Sequence, residues 1–66
     1  MTRYNVMPTG PQSRYDWKVE ANGRRTSEHR TQGNAKNAAR RRASPGDEIK
    51  IHDSRGRVRD SWTVRA

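Results

Sequence analysis

The sequence has no cysteine, no leucine and no phenylalanine, and it contains no long run of apolar residues. Without cysteine, disulfide scaffolds and thiolate metal sites are excluded. No segment approaches the roughly 18 apolar residues of a membrane span, and the first residues lack the apolar stretch of a signal peptide. These absences predict a cytoplasmic protein that does not bind membranes.

The chain is short, with 66 residues and a formal net charge of +8. A chain of this size forms one domain and buries only about 60% of the surface that its unfolded form exposes. Few large apolar residues are present, since six of the apolar residues are alanine and only six are isoleucine or valine. Composition alone is therefore typical of a disordered chain that folds only on a partner. The order of the local patterns favours a folded domain instead.

The first half of the chain shows the signals of three strands. Apolar and polar residues alternate over 3–7 and 15–20, which predicts two strands. Residues 8–11 contain two prolines and a glycine and should break the chain between them. Asn22-Gly23 is the dipeptide that suits a type I′ turn, because both central positions of that turn need a positive φ. It predicts a return along 24–30 as a polar strand.

A helix should follow. Thr31 suits the N-cap, since its hydroxyl can accept a hydrogen bond from a free N–H of the first turn. Ser44-Pro45-Gly46 should end the helix, because proline disfavours helical backbone in the residue before it. Between these signals lies a narrow stripe of small residues at helical spacing, which would let the helix lie close on a sheet: Ala35, Ala38, Ala39 and Ala43.

The last part of the chain predicts a hairpin of two strands, 48–53 and 57–65, with Val58, Trp62 and Val64 on one face of the second strand. We expect this hairpin to supply Ile49, Ile51, Val58, Trp62 and Val64 to the core. The predicted order is β-β-β-α-β-β. We therefore expect an α+β fold in which a small antiparallel sheet has one helix packed on one face. Residues 1–66 would form a single small domain with its core within about 3–65.

Several fragments together carry a family resemblance: W-K-V, N-G-R-R, H-R-T-Q-x-x-A-x-x-A-A-R, G-D-E-I-K-I-H and G-R-V-R-D. In this order and spacing, the chain resembles the prokaryotic and phage family called domain of unknown function 2188. The resemblance implies a single α+β domain of a bacterial cell or a phage-infected host, and it implies no activity. The chain differs from the family pattern in its helix, which has only alanines on its apolar stripe and three consecutive arginines, 40–42.

Basic residues are unevenly distributed. The segment 29–46 carries five bases and no acid, and the last hairpin carries a second set of arginines. Arginine is the residue that grips phosphate with two hydrogen bonds, and release of counterions gives such contacts affinity without sequence specificity. We therefore predict a module that contacts nucleic acid, chiefly DNA, through phosphates. The residues predicted to hold these phosphates are Arg30, Lys36, Arg40, Arg41, Arg42, Arg55, Arg57 and Arg59.

Other interpretations of the same charges stay open. Cations in the last turn of a helix offset its dipole, which accounts for one or two of the arginines. The surface could serve solubility alone, or it could bind an acidic protein. In the latter case the chain would be a protein-interaction module that modulates a host protein, adding residues 3–7 or a free sheet edge to the sheet of its partner. A homodimer that pairs such edges is compatible with both functions.

No pattern of an enzyme, metal site or cofactor site is visible. His29 and His52 have neither the spacing of metal ligands nor a third ligand, and no serine stands in a nucleophile motif. Trp17 and Trp62 could be platforms on which bases stack. Because both share strand faces with valines, we expect them in the core instead. The sequence therefore predicts a binding protein without catalytic activity.

Overall fold

The computed structural model describes residues 1–10 and 13–65. Pro11, in the predicted break between the first two strands, lies outside the described residues. The elements follow the order β-β-β-α-β-β, so the predicted α+β class is confirmed. They are β1 (Arg3–Pro8), β2 (Trp17–Ala21), β3 (Arg24–His29), α1 (Gln32–Arg42), β4 (Glu48–His52) and β5 (Val58–Thr63).

The five strands form one sheet in the order β3-β2-β1-β4-β5. Three pairs are antiparallel as predicted, but β1 and β4 are parallel, with Tyr4 opposite Ile49 and Val6 opposite Ile51. The sheet is therefore mixed. The cause is the helical connection: α1 carries the chain back across the sheet, so β4 starts at the same end as β1 and β3 and runs in their direction.

The position of β1 corrects one detail of the protein-interaction hypothesis. Because β1 is paired on both sides, by β2 and by β4, residues 3–7 have no free edge to add to the sheet of a partner. The free edges of the sheet belong to β3 and β5.

Two local signals act as predicted. Asn22 and Gly23 have φ angles of 52° and 87°, the left-handed values that a type I′ turn requires. At the start of α1, the backbone N–H of Asn34 donates to Oγ1 of Thr31 at 3.1 Å. This bond satisfies one of the first-turn N–H groups that the helix itself leaves free.

The core lies between α1 and the sheet. Three alanines of the helix are buried against side chains of β1, β2 and β4, and the small alanine side chain lets the backbone of α1 approach the sheet closely. The hydroxyl of Tyr4 donates to the carbonyl of Arg42 at 3.2 Å and thereby ties β1 to the end of the helix. The buried apolar residues are Tyr4, Val6, Val19, Ala35, Ala38, Ala39, Ile49 and Ile51.

Two expectations about the core need revision. Trp17 and Trp62 pack against the core but are only partly buried. Val58 was predicted in the core, which is wrong, because it is 55% exposed. The helix packs over β1 to β4, so the start of β5 has no helix above it. The register of β4 and β5 also shifts between Ile51 and His52, where β5 begins.

Asp47 joins the start of β1 to the segment after α1. Its carboxylate accepts hydrogen bonds from the backbone N–H groups of Thr2 and Ser44, both at 2.8 Å, and the residue is buried. These bonds, with that of Ser44 the stronger influence, lower the pKa of Asp47 below its ordinary value of 3.8. The ionised carboxylate is therefore part of the folded structure.

The Asp47→Asn variant is expected to be less stable at neutral pH and less sensitive to acid. Because folding lowers the pKa of Asp47, its carboxylate stabilises the folded state most at pH values above 3.8, the pKa in the unfolded chain. This stabilisation is lost as the pH falls through the lower pKa of the folded protein. Urea unfolding at about pH 6, 4 and 3 measures the effect. The difference in midpoint between wild type and variant should shrink as the pH falls. A difference that stays constant over this range would contradict the assigned role.

Within the described residues, no helix is long and apolar enough to cross a membrane.

Candidate nucleic-acid interface

The glutamates lie on the open face of the sheet, which we define as the face away from α1. Side chains alternate along a strand, so this face carries the residues between the buried ones. Here three glutamates pair with four bases in three separate clusters, so most of the charge of the open face is offset. The pairs are Lys18–Glu20 at 3.0 Å, Arg25–Glu28 at 3.6 Å, Lys50–Glu48 at 3.8 Å and Arg3–Glu48 at 3.9 Å.

The tip of the β4–β5 hairpin is organised around Asp53. Its Oδ1 accepts hydrogen bonds from the backbone N–H groups of Arg55 and Arg57, each at 2.9 Å. The pKa of Asp53 is lowered chiefly by the hydrogen bond from Arg57. The bond from Arg55 and the nearby charges of Arg57 and Arg59 lower it further. Nε of Arg57 lies 3.8 Å from Oδ2 of the same carboxylate. The acid thus offsets part of the charge of Arg57, whereas Arg55 bonds to it through its backbone N–H alone.

The helix has a different electrostatic character. It has no acid in its first turn and three arginines in its last. Five ion pairs form within residues 1–10 and 13–65, and none of them includes a base of α1. Two acids lie on this side of the sheet: Asp60 of β5, opposite Ile51, and Asp47, whose carboxylate accepts from the N–H of Ser44 directly after α1. The side of the molecule that carries α1 is therefore strongly positive.

A groove of about 740 Å³ lies between the second half of α1 and the edge strand β5. We call it the helix–β5 groove. Lys36 and Arg40 stand one helical turn apart and so share the flank of α1 that borders it. Nζ of Lys36 lies over the Trp62 ring, 5.5 Å from its centroid. The groove is lined by Arg40, Ile49, Trp62, Thr63, Val64 and Arg65.

Arg59 lies at the other end of the same side, near the start of α1. Its Nη1 donates to Oε1 of Gln32 at 3.2 Å, and Nε2 of Gln32 donates to the carbonyl of His52 at 3.0 Å. The chain of bonds holds the arginine beside the helix N-terminus. Three of the predicted residues, Lys36, Arg40 and Arg59, thus lie along the boundary between α1 and β5.

The other predicted residues are distributed around the molecule. Arg41 is one helical step, about 100°, round from Arg40 and projects from another flank. Arg42 is exposed at the end of α1, and Arg30 is exposed just after the edge strand β3. Arg55 and Arg57 lie at the hairpin tip described above. The structure thus brings some of the eight bases together at the groove and leaves the rest on separate surfaces.

Arg65 lines the groove, yet it was absent from the predicted site, and Trp62 was assigned to the core. Arg65 follows Trp62 by three residues, and strict alternation along a strand would place the two side chains on opposite faces. That spacing does not show that α1 runs beside β5, which is what joins these side chains to Lys36 and Arg40.

The histidines make structural contacts. Nε2 of His29 lies 2.8 Å from Oγ of Ser27. The ring of His52 lies between the carbonyl of Gly56 and Oδ1 of Asn5, at 3.3 and 3.2 Å. In the part of the chain that the structure describes, no group of three or more His, Cys, Asp or Glu side chains could hold a metal ion.

The family comparison extends over nearly the whole chain. A bacterial family described as "Uncharacterized protein conserved in bacteria (DUF2188)" matches residues 4–64, which include α1 and all but the first residue of the sheet. No curated protein and no solved structure matches the chain. The resemblance predicted from the sequence is confirmed, and the chain belongs to this family of uncharacterised bacterial proteins.

Proposed function

We propose that the protein is a small basic module that binds nucleic acid, chiefly DNA, through its phosphates and without sequence specificity, in the cytoplasm of a bacterial cell. The observation that carries this proposal is the separation of charge across the fold. Ion pairs offset most of the charge of the open face, whereas the side with α1 carries the bases of the helix and Arg59 and Arg65 against two acids, Asp47 and Asp60.

Arginine supports phosphate as the target. The chain has twelve arginines and three lysines, and the guanidinium fits phosphate oxygens with two parallel hydrogen bonds. A helix dipole would be offset by one or two cations in the last turn. This stabilisation of the dipole does not account for Lys36 in the middle of α1 or for Arg59 and Arg65 across the groove. A common anionic ligand accounts for all of them.

Strand addition to a protein partner is a second candidate function. It is favoured by β5, which is a sheet edge whose residues Val58 to Ser61 are exposed. A free edge presents unpaired backbone groups to an incoming strand. The incoming strand would belong to an acidic protein or to a second copy of this chain.

The salt dependence of binding tests the proposed function. A labelled random duplex of about 20 base pairs is titrated with protein and followed by fluorescence anisotropy. With about four phosphate contacts, affinity should fall about 100-fold between 50 and 200 mM salt, equally for unrelated sequences. The slope of log K against log salt then estimates the number of phosphates held.

Two results would contradict the proposal. One is a folded sample, shown by circular dichroism, that fails to bind duplex or single-stranded nucleic acid at low salt. The other is binding that changes little with salt, because phosphate contacts must release counterions. A complex with an acidic protein that survives high salt and is lost when β5 is blocked would favour strand addition instead.

A further inference from the structure

We infer that the helix–β5 groove binds single-stranded nucleic acid, with one unpaired base stacked on Trp62 and its flanking phosphates held by Lys36, Arg40 and Arg65. This inference rests on the proposed function and deepens it, because it names the form of nucleic acid and the subsite. It also gives a use to an indole that the fold leaves only partly buried.

Trp62 is held by the core on one side and accessible from the groove on the other. The ring packs against the core beside Ile49, its partner across β4 and β5, and it also lines the open groove. The group over the ring is the ammonium of Lys36, at 5.5 Å from the centroid. A cation–π contact of this kind is weak at an exposed site, and lysine has a flexible stem. The ammonium can therefore move from the ring to a phosphate when a base takes its place.

The surrounding charges suit a nucleotide rather than a neutral aromatic ligand. Arg40 and Arg65 both line the groove with Trp62, so cations lie on the helix side and on the strand side of the indole. Lys36 and Arg40 are separated by one turn of the helix, a rise of about 6 Å. Two cations at this separation can each meet a phosphate on either side of one stacked base. A volume of about 740 Å³ lies within the usual range of ligand sites, about 300–1,000 Å³.

The stacking contact distinguishes a single strand from a duplex. In a duplex the π-faces of each base are covered by the neighbouring base pairs, so a side chain can reach only base edges and the backbone. An unpaired base can turn one face to an aromatic side chain, which is how single strands are bound with little sequence preference. Trp62 therefore adds affinity for single strands and adds none for duplex.

The test compares a single strand with a duplex in the same buffer. The Trp17→Phe variant leaves Trp62 as the sole indole, and it is titrated at low salt with an oligo(dT) strand of about 12 nucleotides and with a duplex of equal length. We expect the single strand to quench the indole fluorescence and the duplex to leave it nearly unchanged. Anisotropy measures the binding of each nucleic acid independently of this fluorescence. Trp62→Leu keeps an apolar side chain beside Ile49 and removes the stacking surface. It should weaken strand binding about tenfold and duplex binding by less than about twofold.

Tyr15→Leu is the matched control, since Tyr15 is an exposed aromatic residue of the β1–β2 connection that does not line the groove. It should leave both affinities unchanged. Equal weakening of strand and duplex by Trp62→Leu, or strand binding without quenching of Trp62, would overturn the inference and leave the proposed function standing. Failure of the Trp17→Phe protein and the wild type to bind either nucleic acid would overturn both. If Trp62→Leu does not fold, the quenching measurement on the Trp17→Phe protein still decides.

Discussion

Replacing Ile49 by alanine is expected to leave most of the chain unfolded at 25 °C. Ile49 is fully buried and lies between Tyr4 on β1 and Trp62 on β5, so its side chain joins the centre of the sheet to the edge that borders the groove. Truncation of a buried isoleucine to alanine costs about 2–5 kcal/mol. A single core in a domain below about 70–80 residues rarely supplies more than 3–5 kcal/mol.

Circular dichroism and urea unfolding measure this effect, and two variants calibrate it. Ile49→Val removes one methylene and should cost about 1 kcal/mol, which leaves a folded protein. Val58→Ala truncates a residue that is 55% exposed and should change the free energy of unfolding by less than about 0.5 kcal/mol. If Ile49→Ala proved as stable as Val58→Ala, the core would not lie between α1 and the centre of the sheet.

Much of the fold could be predicted because its decisive signals are local. Asn22-Gly23 fixes a hairpin through backbone conformations that few other pairs adopt. Thr31 starts the helix through its own hydroxyl, and the alternation in 15–20 assigns a strand face without knowledge of its neighbours. Each of these patterns depends on residues within a few positions of one another, and the structure has the hairpin, the helix start and the strand, although β2 begins at Trp17 and leaves Tyr15 outside it.

The features that the sequence did not predict depend on contacts between segments that are distant along the chain. Nothing in β1 or β4 indicates that the two strands run parallel, because their direction is set by the path of α1 over the sheet. Val58 has the same apolar character as Val6, and its exposure results from the reach of the helix. The candidate site has the same origin, since Arg40 and Arg65 belong to different elements and line one groove only because the second half of α1 borders β5.

Reversing two charges in the helix–β5 groove should reduce the affinity for nucleic acid about 100-fold at low salt and lower the salt slope by about two. The variant is Arg40→Glu combined with Arg65→Glu. Each substitution removes a cation from the phosphate path and puts an anion there. Anisotropy with the duplex and with the single strand, at several salt concentrations, gives both quantities.

A control of equal net charge separates a local site from general attraction. The control is Arg14→Glu combined with Arg24→Glu, which changes the net charge by the same amount. Both residues are exposed and lie near β2 and β3, at the end of the strand order away from β5. The control should weaken binding by less than about tenfold and leave the slope nearly unchanged. Equal losses in the two double variants would show that the net charge of +8 acts without a defined site.

The central position of β1 also determines how the chain must fold. The bond from the N–H of Thr2 to Asp47 joins residues 45 positions apart, and the parallel pairing of β1 with β4 spans a similar length. Contacts so distant in sequence require loop closure before they contribute, and they slow folding. The Asn22-Gly23 hairpin and α1 form from neighbouring residues, but neither can bury Val6 until β4 arrives. We expect one cooperative transition whose rate is set by the meeting of β1 and β4.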